Sequence, residues 1–341
     1  MNNPAEFIFQ DIFSNPNAID LGNFKYKKVL ITGASGVVGT YLVATLARLI
    51  EENVIDVFLD VVVRSKLEDF YKEITRHSNI RIISADLCDW DSWVNLETYD
   101  LIIHAASYGQ PQKFMSEKIK TLQLNTSVMF SLFGKLRPAG CLIFFSTSEV
   151  YSGLTSPPFR EDQIGNTNTD HSRACYIEAK RCGEAICNAF HEQGFKTHSL
   201  RLSLAYGPGA RTDDKRVLNN FIKKAFAGKI DLMDAGEAKR TYCYIADVNW
   251  IVWRIIQQGS YRVYNIGGES RTTIGQLAKQ IGDLLQVPVH FPVKPNQVAG
   301  APDDVQLDMS RFQDEQGKLR FTSLEDGLRK TIAWQRIYNK D

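Results

Sequence analysis

The sequence predicts an α/β chain in which a doubly wound parallel sheet is wrapped by helices and followed by a smaller C-terminal α+β lobe. Two observations carry the first part. Apolar runs at residues 29–31, 57–63, 80–83, 101–103 and 142–145 recur along the first half of the chain. Between them, residues 38–52 and 113–135 place apolar side chains three and four apart and end in charge or in Gly and Pro, as helices do. A third observation carries the lobe: after Arg201 the chain becomes short elements punctuated by Tyr206-Gly-Pro-Gly209, Ala235-Gly-Glu237 and Gly267-Gly268.

Taken in order, residues 1–27 mix Asn, Pro and Phe without a sustained period and read as an appendage that packs on the domain or on a partner subunit. Residues 28–201 read as the sheet domain, with 241–268 partly returning to it, and 202–240 with 269–341 as the second lobe. In the last segment, 323–338, Leu324, Leu328, Ile332 and Trp334 sit near helical spacing, predicting an amphipathic helix that closes the smaller lobe. The two lobes are expected to share a cleft.

Composition narrows the function. With 341 residues and 44% hydrophobic content the chain is long enough to bury a core without staples. Forty basic against 39 acidic residues leave no excess of cations for a phosphate lattice or an anionic bilayer, so nucleic-acid and membrane partners are not expected. No apolar run reaches the roughly 18 to 20 residues of a membrane span, and Asp60 interrupts the strongest stretch. Residues 1–10 show no secretory signal, and the six cysteines form no C-x-x-C pair. These features predict reduced thiols, no metal site and a cytoplasmic protein.

Residues Val29-Leu-Ile-Thr-Gly33-Ala-Ser-Gly36-Val-Val-Gly39 run from strand through loop to helix. Glycines there let the backbone turn tightly and approach a pyrophosphate, while the N–H groups of a helix start face the anion. Gly33, Ser35, Gly36, Val37, Val38 and Gly39 are therefore candidates for holding a dinucleotide, and the sheet reads as Rossmann-like. Asp86, with Leu87, follows the third strand, where its own chemistry suits the cap of the helix that follows. Asp60 lies inside the second strand, whereas Arg64 and Ser65 stand at its tip. An acid at that tip holds a ribose diol and an Arg suits a 2′-phosphate, so both NAD and NADP stay open.

Tyr176-Ile-Glu-Ala-Lys180 puts a phenol and an ammonium one helical turn apart. A neighbouring Lys cation and a nicotinium charge both favour phenolate, which makes Tyr176 a candidate proton acceptor for a sugar hydroxyl. The fifth strand ends in Ser146-Thr-Ser-Glu-Val-Tyr151, at the sheet edge that faces the cofactor crevice. Thr147 can orient the reacting oxygen there, and Glu149 offers a carboxylate for acid/base work or sugar positioning. His104, at the end of the fourth strand, reads as packing at the cofactor rim.

The Thr-Gly-x-x-Gly-x-x-Gly spacing, with Tyr176 and Lys180, resembles the extended short-chain dehydrogenase/reductase superfamily, and the chain from Lys28 to Tyr338 resembles its nucleotide-sugar epimerases, dehydratases and decarboxylases. Ser146-Thr-Ser-Glu-Val-Tyr151, Cys175-Tyr-Ile-Glu-Ala-Lys-Arg181, Arg216-Val-Leu-Asn-Asn-Phe-Ile222 and Arg240-Thr-Tyr-Cys-Tyr-Ile-Ala-Asp247 are together similar to UDP-glucuronate decarboxylases. The resemblance implies NAD as cofactor, a contact of Asp86 with adenine, and cofactor contacts at Ala105 and Ala106. It also implies a nucleotide-diphosphate sugar held by Ser107, Asn219, Arg216 and Arg240, and a homodimer through the helices around 113–135 and 176–192. Three departures stand out: Arg64 where an acid is usual, Ala106-Ser-Tyr-Gly-Gln-Pro111 in place of a Pro-Ala-Ser-Pro stretch, and Leu204 in place of an Asn.

A transient 4-keto sugar is then expected, with decarboxylation ranked ahead of 4,6-dehydration and 4-epimerisation. Dehydratases of the family carry an Asp as acid where this chain has Ser148, a poorer proton donor. A cofactor-sensing protein that keeps the fold without turnover is the alternative of another class.

Overall fold

The computed structural model describes residues 3–17, 19–64, 66–211, 213–292 and 304–338. Ser65 lies outside the described residues, as do parts of the segments 1–27 and 269–341. In chain order the first elements are α1 (Pro4–Phe13), β1 (Lys28–Thr32), α2 (Val37–Glu51), β2 (Phe58–Val63), α3 (Asp69–Ile74), β3 (Ile80–Ser84) and β4 (Tyr99–His104). They are followed by α4 (Pro111–Ser116), α5 (Lys118–Asn125), α6 (Ser127–Phe133), β5 (Leu136–Thr147), α7 (Ala174–Glu192) and β6 (Lys196–Leu202). The second part holds β7 (Leu204–Tyr206), α8 (Val217–Phe226), β8 (Ile230–Asp231), β9 (Lys239–Tyr244), α9 (Ile245–Gln258) and β10 (Val263–Ile266). It ends with β11 (Ser270–Thr273), α10 (Ile274–Leu285), β12 (Val289–His290), β13 (Asp304–Val305), α11 (Ser310–Gln316) and α12 (Leu324–Tyr338).

Seven strands form one sheet in the order β10-β6-β5-β4-β1-β2-β3, and every pairing in it is parallel. Val29, Leu30 and Ile31 of β1 are fully buried because helices cover both faces, which is why the central strands read as continuous apolar runs. The order reverses between β1 and β4, and the crevice beyond their carboxyl ends is where such a sheet receives a ligand. In the second part, β7, β11 and β13 all pair with β9, and β12 pairs with β8, while α9 leads to β10 at the edge of the main sheet.

The single helix expected over 113–135 is three helices. Glu117 (φ −112°, ψ 49°) and Thr126 (φ −127°, ψ −83°) both leave helical geometry. The hydroxyls of Thr121, Thr126 and Ser127 each bond the carbonyl four residues back, competing with the helix ladder where it breaks.

The N-terminal segment is built into the fold. Asn3 caps α1 through bonds from the Ala5 and Glu6 N–H groups, Pro4 opens it, and Ala5, Ile8 and Ile12 are buried. The Asp11 carboxylate accepts from the Tyr41 hydroxyl at 2.6 Å, the Tyr244 hydroxyl at 2.8 Å and the Lys330 ammonium at 2.7 Å. One buried acid thus joins α1, α2, β9 and α12. Helix α12 reaches further than the smaller lobe it was expected to close: Trp334 bonds the Pro4 carbonyl at 3.2 Å and meets the Phe70 ring edge-on at 5.5 Å. The apolar stripe set the helix, but nothing in its spacing revealed that two lobes share it. No helix among the described residues is long and apolar enough to cross a membrane.

Removing the Asp11 carboxylate strands two buried hydroxyls and one ammonium. Asp11→Ala is expected to cost about 2 to 4 kcal/mol, read as a lower urea midpoint at unchanged slope.

Candidate active site

The loop after β1 folds as its glycines demand. Gly33 has φ +69°, and a Cβ there would come within 2.5 Å of the Ala105 backbone. A Cβ on Gly39 would come within 2.5 Å of the Gly33 carbonyl oxygen, so α2 can lie against the loop only if residue 39 is bare. Gly36 is the N-cap of the 15-residue helix α2 and brings no side-chain cap, leaving the first-turn N–H groups of Val37, Val38 and Gly39 for an anion. Gly33, Ser35, Gly36, Val37, Val38 and Gly39 line one side of a cleft of about 460 Å³. The donors of this cradle fit the pyrophosphate of a dinucleotide.

Past the ends of β2, β3 and β4, the same cleft is lined by Arg64, Asp86, Leu87, Ala105, Ala106 and Ser107. Burial pushes the Asp86 carboxyl up, but the Cys88 N–H at 3.0 Å and the Lys120 ammonium at 3.1 Å outweigh it and hold the group below its ordinary range. His104 sits behind this wall. Its Nδ1 is 2.7 Å from the Thr32 hydroxyl and its Nε2 2.8 Å from the Leu124 carbonyl, and burial draws its pKa down to about 4. It is a neutral core residue joining β1, β4 and α5, set deeper than the rim.

Tyr176 and Lys180, on α7, line the far wall. The Lys180 ammonium donates to the Phe145 carbonyl at 2.6 Å and lies 5.8 Å from the centre of the Tyr176 ring. Burial draws its pKa down to about 7, against an opposing pull from Glu184. Burial likewise pushes the Tyr176 phenol up to about 12; Thr147, Arg173 and Arg216 draw it down and Glu149 opposes them. Of the two charges expected to favour phenolate, Lys180 and a bound nicotinium, only Lys180 belongs to the chain. The cation is itself desolvated and committed to a carbonyl, so the protein's own groups hold Tyr176 neutral.

Thr147 closes β5, accepts from the Glu149 N–H at 3.3 Å, and its hydroxyl is hydrogen-bonded to Tyr176. Ser148 and Glu149 form the short 3-10 turn Ser148–Tyr151 that follows. Glu149 is not an uncommitted acid/base: both its oxygens accept from Arg173, one of them at 2.8 Å from Nε. Arg173 was absent from the sequence reading. Its guanidinium lies 5.0 Å from the Phe114 ring centre, and Phe114 stacks on Tyr176 at 4.5 Å with the planes 5° apart. The sequence signal for this sandwich was only that Arg173 stands three residues before Tyr176, one helical turn away.

At the outer end, Lys113, Arg211 and Arg216 line the cleft with Asp213 and Asp214, three cations against two carboxylates. Arg216 grips Asp214 through Nε at 2.9 Å and Nη2 at 2.6 Å and also donates to the Ala205 carbonyl. This fixes a guanidinium edge suited to a diphosphate. Asn219 is buried behind it, bonding Asp214 at 2.9 Å and Gln335 at 3.1 Å, so it supports Arg216 instead of facing the cleft. Arg240 is placed apart as well. It is not among the cleft-lining residues, because β9 turns it along its own strand to donate to the Lys239 carbonyl at 2.7 Å.

Comparison with known proteins bears on this arrangement. Residues 29–267 match the model of the NAD dependent epimerase/dehydratase family. The chain belongs to that family. It is 31% identical over 316 residues to UDP-glucuronic acid decarboxylase 1 of Danio rerio, covering 90% of this chain and 72% of that one. It is 29% identical to UDP-glucuronic acid decarboxylase 6 of Arabidopsis thaliana, over 88% of this chain and 86% of that one. The fold is similar to that of the dTDP-glucose 4,6-dehydratase DesIV of Streptomyces venezuelae, solved with NAD and TYD bound, with a TM-score of 0.78 at 20% identity over 91% and 97% of the two chains.

In this family member the buried Lys180 leaves a signature in stability. Its folded pKa of about 7 lies below the unfolded value near 10.4, so between these limits the unfolded chain binds more protons and stability rises with pH. The stability of the native chain relative to Lys180→Met is expected to grow from pH 7 to 9.5 by on the order of 1 kcal/mol per pH unit, and to be level below pH 7, in urea titrations.

Proposed function

We propose that this chain converts a nucleotide-diphosphate sugar through a transient 4-keto sugar, and that the reaction is the decarboxylation of UDP-glucuronate or a close analogue. The observation that carries the proposal is the rim where β5 meets α7: Tyr176, Thr147 and Lys180 stand together beside the cleft, the carboxylate that acts on Tyr176, Glu149, is clasped by Arg173, and Glu184 behind Lys180 is committed to Arg201. The names of the relatives support the same reading.

A bound nicotinamide supplies a reversible hydride acceptor, for which the glycine cradle and the wall formed by Ala105 and Ala106 provide the seat. Thr147 orients the C4 oxygen, and Tyr176 accepts the C4 hydroxyl proton as C4 becomes a ketone. Lys180, with two hydrogens left after its bond to Phe145, holds hydroxyls beside the phenol and disfavours its protonated form when charged. The ketone makes a C5 carboxylate a β-keto acid. The C5–C6 bond then breaks, carbon dioxide leaves, and the electron pair rests as an enolate across C4 and C5 until a proton reaches C5. Tyr176 returns its proton to the C4 oxygen when C4 is reduced, so there is no net redox change.

Decarboxylation suits this rim because the β-keto acid needs no further base or acid to lose its carboxyl. Dehydration asks for a base at C5 and an acid at the C6 oxygen. Glu149 is neutralised by Arg173, and Ser148 is a weak proton donor. The three groups around C4 would serve epimerisation equally, so the product decides between the two.

Incubation with UDP-glucuronate, UDP-glucose and dTDP-glucose, followed by mass spectrometry, is expected to show loss of carbon dioxide from the first and no loss of water from the others. Water loss or an epimer of unchanged mass would overturn the assignment. Tyr176→Phe is expected to lower turnover about 10²- to 10⁴-fold while dinucleotide affinity is retained; unchanged turnover would remove Tyr176 from the chemistry.

A further inference from the structure

The residue just past β2 meets the adenosine ribose in a dinucleotide-binding sheet: a carboxylate there accepts from the 2′-hydroxyl, and a guanidinium fits a 2′-phosphate. Here that residue is Arg64, which lines the cleft beside Gly33, Ser35 and Asp86. The acid of β2, Asp60, is used elsewhere. It is buried, accepts from Arg81 at 2.9 and 2.6 Å and from the Tyr99 hydroxyl at 2.6 Å, and is not among the cleft-lining residues. Asp86, the acid that does line this end, is tied to Lys120 and to the Cys88 N–H. No carboxylate among the described residues pairs with Arg64, so the local balance of Arg64 and Lys120 against Asp86 is positive.

Arg64 is also anchored in place. It donates to the Tyr108 hydroxyl, and its guanidinium carbon lies 4.9 Å from the centre of that largely buried ring. One N–H is spent on the hydroxyl, leaving most of a five-donor planar fork for an anion. A guanidinium held this way loses less side-chain freedom on meeting a phosphate than a flexible one.

We propose that the dinucleotide this chain binds carries a phosphate on its adenosine 2′ oxygen, NADP(H) in place of NAD(H), and that Arg64, positioned by Tyr108, reads that phosphate. The proposal rests on the reading of the glycine-lined cleft as a dinucleotide site.

The test is isothermal titration of the full chain, freed of any bound nucleotide, with NADP⁺ and with NAD⁺. The native chain is expected to bind NADP⁺ about 10- to 100-fold more tightly, the range of one charge-assisted contact. Arg64→Ala should erase the difference and Arg64→Asp should invert it, while Tyr108→Phe should narrow it. Arg64 is exposed, and the ratio of two affinities on one preparation does not depend on the fraction folded. The dinucleotide released by heat from freshly purified chain should carry the extra phosphate by mass. Equal affinities, tighter NAD⁺, or an Arg64→Ala variant that weakens both ligands without changing their ratio would overturn the assignment and leave the dinucleotide reading intact. Failure of the native chain to bind either ligand would overturn both.

Discussion

The cleft depends on how closely α7 approaches the end of β5. Gly183 makes that approach possible: a Cβ there would come within 2.4 Å of the Phe144 ring and 3.0 Å of the Asn125 carbonyl oxygen. One turn before it Lys180 reaches the Phe145 carbonyl, and one residue after it Glu184 accepts from Ser146 at 2.5 Å and clamps Arg201 with both oxygens. Arg201 in turn reaches the Tyr151 hydroxyl, which bonds Asn265 of β10. A buried polar chain therefore ties α7 to β5, β6 and β10, and each link is a partner that an isolated charge would otherwise lack. Tyr176 is placed by this clamp.

The same closeness sets the electrostatics. A helix pressed onto the sheet dries the groups between them, and desolvation moves both Tyr176 and Lys180 toward their neutral forms. At neutral pH the chain thus stores a phenol and a partly protonated amine. A cation brought beside Tyr176 by a ligand would favour phenolate, and an anion brought beside Lys180 would favour ammonium.

The parallel sheet was legible because strands buried on both faces read as unbroken apolar runs, and the glycine loop was legible because only bare residues fit at 33 and 39. Tyr176 and Lys180 were legible through a spacing that is local to one helix. What escaped was non-local. The pairing of Glu149 with Arg173 spans 24 residues, the stack of Phe114 on Tyr176 joins two helices, and Asp60 is consumed by Arg81 from the adjacent strand β3 and by Tyr99 from β4 beyond β1. The strand β5 also begins earlier than its apolar core, at Leu136, passing Pro138 and the left-handed Ala139 through an irregular register against β4 that no period announces. A motif string also carries no information about which way a strand turns its side chains, and Arg240 lies outside the cleft lining.

In the proposed reaction, chemistry begins by oxidation at C4 beside Tyr176 and ends by restoring the same hydrogen there. This course is tested most directly with UDP-glucuronate bearing deuterium at C4, converted in ordinary water and examined by NMR. The product is expected to keep its C4 deuterium and to gain one hydrogen from water at C5. Deuterium washed out of C4 into the solvent would contradict that course.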